Sequence, residues 1–97
     1  MPKYLVLCNF TDKGLESVKT SPDRLDKAKK AFRAVGAELK EFYLLMGEYD
    51  IAIIADAPND ETATSLALSI GSRGAIRAKV ERAYPEDEYR KMIANLP

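Results

Sequence analysis

Met46-Gly47-Glu48-Tyr49-Asp50 connects two apolar runs of this chain. The run before it, Ala37 to Met46, and the run after it, Tyr49 to Ala57, are typical of two consecutive β-strands. Because only glycine takes a positive φ at little cost, a Gly-Glu pair between two strands predicts a two-residue type II′ hairpin. This hairpin lies at the middle of the chain, so the elements on either side of it determine the topology.

Before the hairpin the sequence predicts one strand and one helix. Residues 3–10 are rich in β-formers and predict the first strand, and residues 11–20 form a polar connection. Ser21-Pro22 indicates a helix start, since a hydroxyl caps the helix and proline suits its first position. Apolar residues then recur at helical spacing until Gly36 ends the helix, and they are Leu25, Ala28, Phe32 and Val35.

After the hairpin the sequence predicts a helix, a strand and a last short helix. Pro58 ends the third strand, Asn59 or Asp60 caps the helix, and residues 71–74 close it. Residues 75–84 form the fourth strand, and Pro85 opens the last helix. The predicted buried stripes are Ala63, Leu66, Ala67 and Ile70 in the longer helix, and Tyr89, Met92, Ile93 and Leu96 in the short one.

The order β, α, β, β, α, β predicts an α+β fold of the ferredoxin-like type in a single domain covering residues 1–97. Its sheet has four antiparallel strands, with the two main helices on one face. The first and third strands are almost continuously apolar, which favours central positions, while the second and fourth carry the charges expected of edge strands.

Apolar central strands imply that both faces of the sheet are covered, and the two main helices cover only one. A second copy packed face to face would cover the other, so we predict a homodimer or higher homo-oligomer of the dimeric α/β-barrel kind. The alternative is a monomer with a solvated sheet face, which an outward-pointing Lys79 and Glu81 would suit.

Composition excludes several classes of protein. The 97 residues hold 15 basic and 15 acidic side chains, so the charge of a nucleic-acid binder is missing. No apolar run is long enough for a membrane span and no signal peptide is evident. The single cysteine, Cys8, fits a cytoplasmic protein and is expected to be a small buried hydrophobe. Without histidine we predict neither a metal site nor a cofactor.

Six polar residues are candidates for a ligand-binding site. Arginine and tyrosine against an apolar wall suit a small organic anion, because arginine offers two parallel donors and tyrosine one. The alternative is structural: the tyrosines pack at a dimer interface and Arg77 pairs with Glu81 or Glu38. The candidates are Asn9, Thr11, Tyr43, Tyr49, Arg77 and Lys79.

Four segments resemble the GYD-domain family, which is named for a Gly-Tyr-Asp signature. They are residues 3–14, 21–26, 41–50 and 82–89, and the signature stands here as Gly47-Glu48-Tyr49-Asp50, with Glu48 inside it. The resemblance extends over essentially the whole chain. It implies a dimeric ferredoxin-like fold and implies no particular activity.

The function we favour is a small-ligand binding or regulatory module that acts as a homo-oligomer, with a pocket between the sheet faces. The alternative is a cofactor-independent monooxygenase or isomerase that stabilises an enolate-like anion. An RNA-binding domain shares the element order, but the third strand has no stacking aromatics and no basic residues. The glycines of residues 71–74 are explained by a helix end, with an anion-binding nest as the alternative.

Overall fold

The computed structural model describes all 97 residues and has the predicted order of strands and helices, with one additional short helix where a polar connection was predicted. The strands are β1 (Lys3–Phe10), β2 (Glu38–Leu44), β3 (Ile51–Asp56) and β4 (Ile76–Ala83). The helices are α1 (Asp12–Glu16), α2 (Ser21–Ala34), α3 (Asp60–Ser72) and α4 (Glu86–Ala94), and a 3-10 turn spans Val18–Thr20. None of the helices has both the length and the apolar character needed to cross a bilayer.

The four strands form one antiparallel sheet in the order β2-β3-β1-β4, which confirms the ferredoxin-like prediction. The pairing of β1 with β3 extends from Lys3 opposite Asp56 to Cys8 opposite Ile51, and its pairing with β4 begins with Lys3 opposite Ala83. The two most apolar strands are therefore central, as their composition predicted.

The core lies between the sheet and the two long helices. Side chains alternate across a strand, so every second residue of β1 and β3 points toward the helices and is buried. Helix α2 lies over β2 and α3 over β4. The main buried residues are Tyr4, Val6, Cys8, Phe32, Ile51, Ile53, Ala55, Ala63 and Leu66.

The helix starts follow local hydrogen bonding. Asn59 caps α3 as predicted, since its side-chain oxygen accepts from the Thr62 amide at 2.8 Å. Helix α2 instead begins at Ser21, with Thr20 in the cap position and no side-chain cap. The Ser21 cap prediction was wrong by one residue: the Thr20 hydroxyl donates backward to the Ser17 carbonyl (2.9 Å), which extends the preceding turn.

The tip of the central hairpin is wider than predicted. From Glu41 to Leu44 the register is the one that a Gly47-Glu48 turn requires, and it shifts by one residue between Leu39 and Glu41. The last backbone pair joins Leu45 to Asp50 (2.7 Å), so four residues form the loop rather than two. Gly47 has the predicted positive φ, at +148°. The loop is wider because the Glu48 carbonyl and the Asp50 carboxylate both accept hydrogen bonds from β1.

The molecule is elongated, measuring 51 × 31 × 18 Å with a radius of gyration of 14.6 Å. A compact chain of this length has about 13 Å. Helix α4 has no buried residue, and its side-chain hydrogen bonds stay within the helix and its C-cap. The predicted buried stripe of α4 is therefore wrong for a single chain. Val35 is also half exposed, because α2 ends one residue before it.

Candidate functional site

The Gly-Tyr-Asp loop is fastened to the end of β1 by three hydrogen bonds. The Asn9 side-chain amide donates to the Glu48 carbonyl, the Phe10 amide donates to the Asp50 carboxylate, and the Asp50 amide donates to the Cys8 carbonyl, each at 2.9 Å. Backbone pairing between β1 and β3 ends at Cys8, so the next β1 amide on that side, that of Phe10, bonds to the Asp50 carboxylate instead of to a β3 carbonyl. The aspartate of the signature therefore has a structural role.

Thr11 also has a structural role. Its hydroxyl oxygen caps α1 by accepting from the Gly14 amide (3.1 Å), and the hydroxyl donates to the Gly74 carbonyl. Its backbone amide donates to the Ala75 carbonyl at 3.1 Å. The hydroxyl is thus fully used, and Thr11 marks the rim of a site without offering a free group to a ligand.

The glycine turn after α3 is a helix end. The amides of Arg73 and Gly74 donate to the carbonyls of Ile70 and Gly71, and Gly74 has a φ of +86°. Because these amides already bond to helix carbonyls, the anion-nest alternative for residues 71–74 is wrong.

Three of the six candidate residues line one open polar cleft of about 550 Å³ where β1 ends and β4 begins. Asn9 and Arg77 are directly paired across the two strands, and Thr11 follows β1. No carboxylate of the chain lies within 4.0 Å of Arg77, so the alternative that it pairs with Glu81 or Glu38 is wrong for the single chain.

Tyr49 and Lys79 stand on the same side of the sheet. The Lys79 ammonium lies 5.9 Å from the centroid of the Tyr49 ring, which is a cation–π distance. Lys79 is the next residue after Arg77 on this face of β4. Tyr49, Arg77 and Lys79 therefore form one aromatic and basic group beside the cleft.

Tyr43 is apart from that group. It lies in the same transverse row as Lys79, through the pairs Tyr43–Ala52, Ala52–Leu7 and Leu7–Lys79. Three strand spacings separate the two backbones, which is roughly 14 Å. Within one chain the six candidates thus do not form a single site.

The face of the sheet away from the helices has an apolar centre and a charged margin. We call it the open face; its central residues are Leu5, Leu7, Ala52 and Ile54, all half-buried. Glu41 and Tyr43 on β2 and Arg77, Lys79 and Glu81 on β4 stand around them. The register therefore places Tyr43, Arg77, Lys79 and Glu81 on the face away from the helices.

The structure also contains a cavity that the sequence did not predict. It lies on the side of the sheet opposite the open face. It has a volume of about 260 Å³ and lies between α2, α3 and the helix-covered face, where Ile51 and Ile53 form part of its wall. The small residues Ala28 and Ala31 on the inner side of α2 were the available signal, because they leave space where larger side chains would fill it.

Two buried titratable groups belong to the core. Burial, and then the hydrogen bond to Asp60 (2.5 Å), raise the pKa of Tyr4 to about 12. Cys8 is buried, as predicted, and burial alone raises the pKa of its thiol to about 11. The Arg82 guanidinium lies over the rings of Tyr4 and Tyr84, at 5.6 and 4.6 Å, and closes this end of the sheet.

Two exposed apolar surfaces remain. The first, the hairpin edge, is Phe42–Met46, in which Leu44 is 72% exposed and Met46 is fully exposed. The second is the apolar side of α4, formed by Tyr89, Met92, Ile93 and the following Leu96. No group of three or more acidic or cysteine side chains has the arrangement of a metal site.

Comparison with known proteins gives a consistent picture. The family model described as "GYD domain" matches residues 4–93. The chain is also similar to a protein of Thermus thermophilus named "Glutamine synthetase and cystathionine beta-lyase binding protein", with 28% identity over 86 residues. That alignment covers 88% of this chain and 90% of the relative.

Proposed function

Since the chain belongs to the GYD-domain family, we propose that it is a small binding and regulatory module that works as a homodimer and attaches to other proteins. The relative from Thermus thermophilus is named for binding two enzymes, and it aligns over nearly its whole length with this chain. Protein binding by a chain of this size needs exposed apolar surface, and this chain has two such surfaces.

The observation that carries the proposal is the unpartnered helix α4. Its apolar residues follow helical spacing, yet all are between 44% and 65% exposed in the single chain. A short amphipathic helix is marginal in water without a surface to pack on. Because nothing in its own chain covers α4, a second chain is the natural partner.

The open face supports the same arrangement. An apolar centre with a charged margin is the usual anatomy of an interface between subunits. Two copies related by a two-fold axis would bury Leu5, Leu7 and Ile54 against their counterparts. The α4 helices, which follow the edge strand β4, would then extend over the partner and cover its remaining apolar surface.

Such a dimer would enclose the group formed by Tyr49, Arg77 and Lys79. We infer a pocket for a small organic anion there, because Arg77 has no carboxylate partner and Lys79 already lies over an aromatic ring. We leave catalysis out of the proposal, because the polar groups of Asn9 and Thr11 at this end hold the backbone in place.

The hairpin edge is the surface that we assign to a protein partner. Five consecutive exposed apolar residues, three at the end of the edge strand β2 and two directly after it, are a hazard for aggregation unless another protein covers them. Phe42–Met46 lies at the far edge of the sheet from β4, so it stays accessible when the open face and α4 are occupied.

Native mass spectrometry and sedimentation equilibrium test the dimer. We expect the mass of two chains for the wild type, and a monomer for Ile93→Glu, which places a charge on the apolar side of α4. Ala94→Glu adds the same charge on the opposite side of the helix and should remain dimeric. A monomeric wild type, or equal effects of the two variants, would overturn the homodimer.

Biolayer interferometry tests the protein partner separately. Purified glutamine synthetase and cystathionine beta-lyase from the source organism serve as probes against the immobilised wild type, Met46→Glu and Ala94→Glu. We expect binding that Met46→Glu abolishes and Ala94→Glu preserves. Absence of binding to both enzymes, with the dimer intact, would refute attachment to this class of partner.

A further inference from the structure

The cavity between α2 and α3 is large for a chain of this size. Protein interiors are packed as densely as organic crystals, and voids larger than a water molecule are few. This cavity has about 260 Å³, and most of the residues around it are hydrophobic. Helix α2 contributes Leu25, Ala28 and Ala31 to its wall, and α3 contributes Leu66 and Ile70.

The polar part of the wall is confined to one end. It consists of Ser21 and Arg24 from the first turn of α2, and of Ser69 and Arg73 from the end of α3 and its cap. The rest of the wall is apolar. A molecule that fits this space therefore has a long apolar part and a polar group at one end.

The polar end is positively charged and lacks a counter-charge. Arg24 donates only to uncharged oxygens, those of Gly14, Ser17 and Thr20, and its Nε–H is buried without a partner. Arg73 is exposed, and no carboxylate lies within 4.0 Å of either guanidinium. Neither guanidinium has a counter-charge, and a carboxylate at this end of the cavity would supply one.

We propose that this cavity binds an amphipathic organic carboxylate, with its hydrocarbon part between α2 and α3 and its carboxylate at Arg24 and Arg73. A dry cavity of 150 Å³ accepts benzene, with six non-hydrogen atoms, so 260 Å³ accepts about ten. Octanoate has that size. This site lies on the opposite side of the sheet from the pocket proposed above and does not depend on the dimer.

Isothermal titration calorimetry with octanoate tests the site. We expect saturable binding, no binding of acetate, which lacks the chain, and much weaker binding of octanol, which lacks the charge. Arg73→Gln should weaken octanoate binding about tenfold, since a charged hydrogen bond is lost. Arg33→Gln removes the same charge from the other end of α2, outside the cavity wall, and should leave the affinity unchanged.

A variant that fills the cavity separates binding from folding. Ala31→Leu places a larger side chain in the void, so it should abolish octanoate binding while the melting temperature stays equal or rises. In NMR spectra of the wild type, octanoate chain protons should show nuclear Overhauser contacts to the methyl groups of Leu25 and Ile53.

Three outcomes would overturn the proposal. They are no octanoate binding at millimolar concentration, equal binding of octanol, or Overhauser contacts to Leu5 and Leu7 on the open face. If Ala31→Leu instead changes the oligomer mass, a second copy occupies the groove and the carboxylate assignment is wrong.

Discussion

Replacing Asp50 by alanine is the most direct test of how the signature loop stabilises the fold. Its carboxylate accepts a 2.9 Å hydrogen bond from the Phe10 amide, which no strand pairs on that side. Hydrogen bonds to charged groups contribute roughly 1.5–3 kcal/mol, so Asp50→Ala should lower the free energy of unfolding by about 2 kcal/mol. For a domain of this size that is a fall in melting temperature of about 10 °C.

Two further variants define the origin of the effect. Asp50→Asn keeps an acceptor oxygen and loses the charge, so it should cost about 1 kcal/mol. Glu48→Ala lies in the same loop but removes a side chain without hydrogen bonds, and its carbonyl still accepts from Asn9. It should change stability by less than about 0.5 kcal/mol.

The assay is urea unfolding followed by circular dichroism at one fixed protomer concentration, since any assembly makes stability concentration-dependent. Hydrogen exchange supplies a local readout, because the Phe10 amide should exchange faster in Asp50→Ala while the amide of Val6 does not. Equal stability of Asp50→Ala and Glu48→Ala would refute the structural role of the aspartate.

Four other predictions follow from the packing and the buried groups. Gly14→Ala should lower the free energy of unfolding by about 3 kcal/mol or more in the same urea assay, because its new Cβ would lie 2.0 Å from the Ala75 carbonyl oxygen. Gly47→Ala meets no atom within 4 Å but keeps a φ of +148°, so a loss of about 1 kcal/mol is expected there. The raised pKa of Tyr4 means that the folded chain keeps its proton longer than the unfolded chain, so its contribution is complete below pH 10. That contribution should be lost as the pH rises from 10 through 12, and Tyr4→Phe should reduce the fall in melting temperature over this range, as measured by thermal melts at each pH. Iodoacetamide should modify Cys8 at pH 8 about 100-fold more slowly in the folded than in the urea-unfolded protein, as measured by mass; equal rates would contradict burial.

The sheet could be predicted from sequence because its signals are local. The position of Gly47 was sufficient for the pairing of Glu41–Leu44 with β3, whereas the shift of one residue between Leu39 and Glu41 has no local signal. The width of the hairpin tip could not be predicted, because it depends on bonds from Glu48 and Asp50 to residues some forty positions earlier. Helix α1 was missed for a similar reason: its cap residue, Thr11, is held by Gly74 from the other end of the chain.

The candidate residues were predicted less well than the fold. The predicted strand order and the alternation of side chains were enough to place Arg77 and Lys79 on the open face and Tyr43 at the opposite edge of the sheet, but they gave no signal for the contact of Lys79 with Tyr49. The cavity depends on the distance between two helices, which no local pattern specifies. Its polar end combines Arg24 and Arg73, which lie far apart in sequence and meet only in the folded chain.

The central position of β1 also affects how the protein is made. Lys3 pairs with Ala83, so one edge of β1 stays open until β4 has been synthesised. At 5–20 residues per second, the interval between the two strands is about 4 to 15 s, during which an apolar strand edge is available to other chains. A chain released before Ile76 keeps that edge permanently open, and we expect it to aggregate or to be degraded.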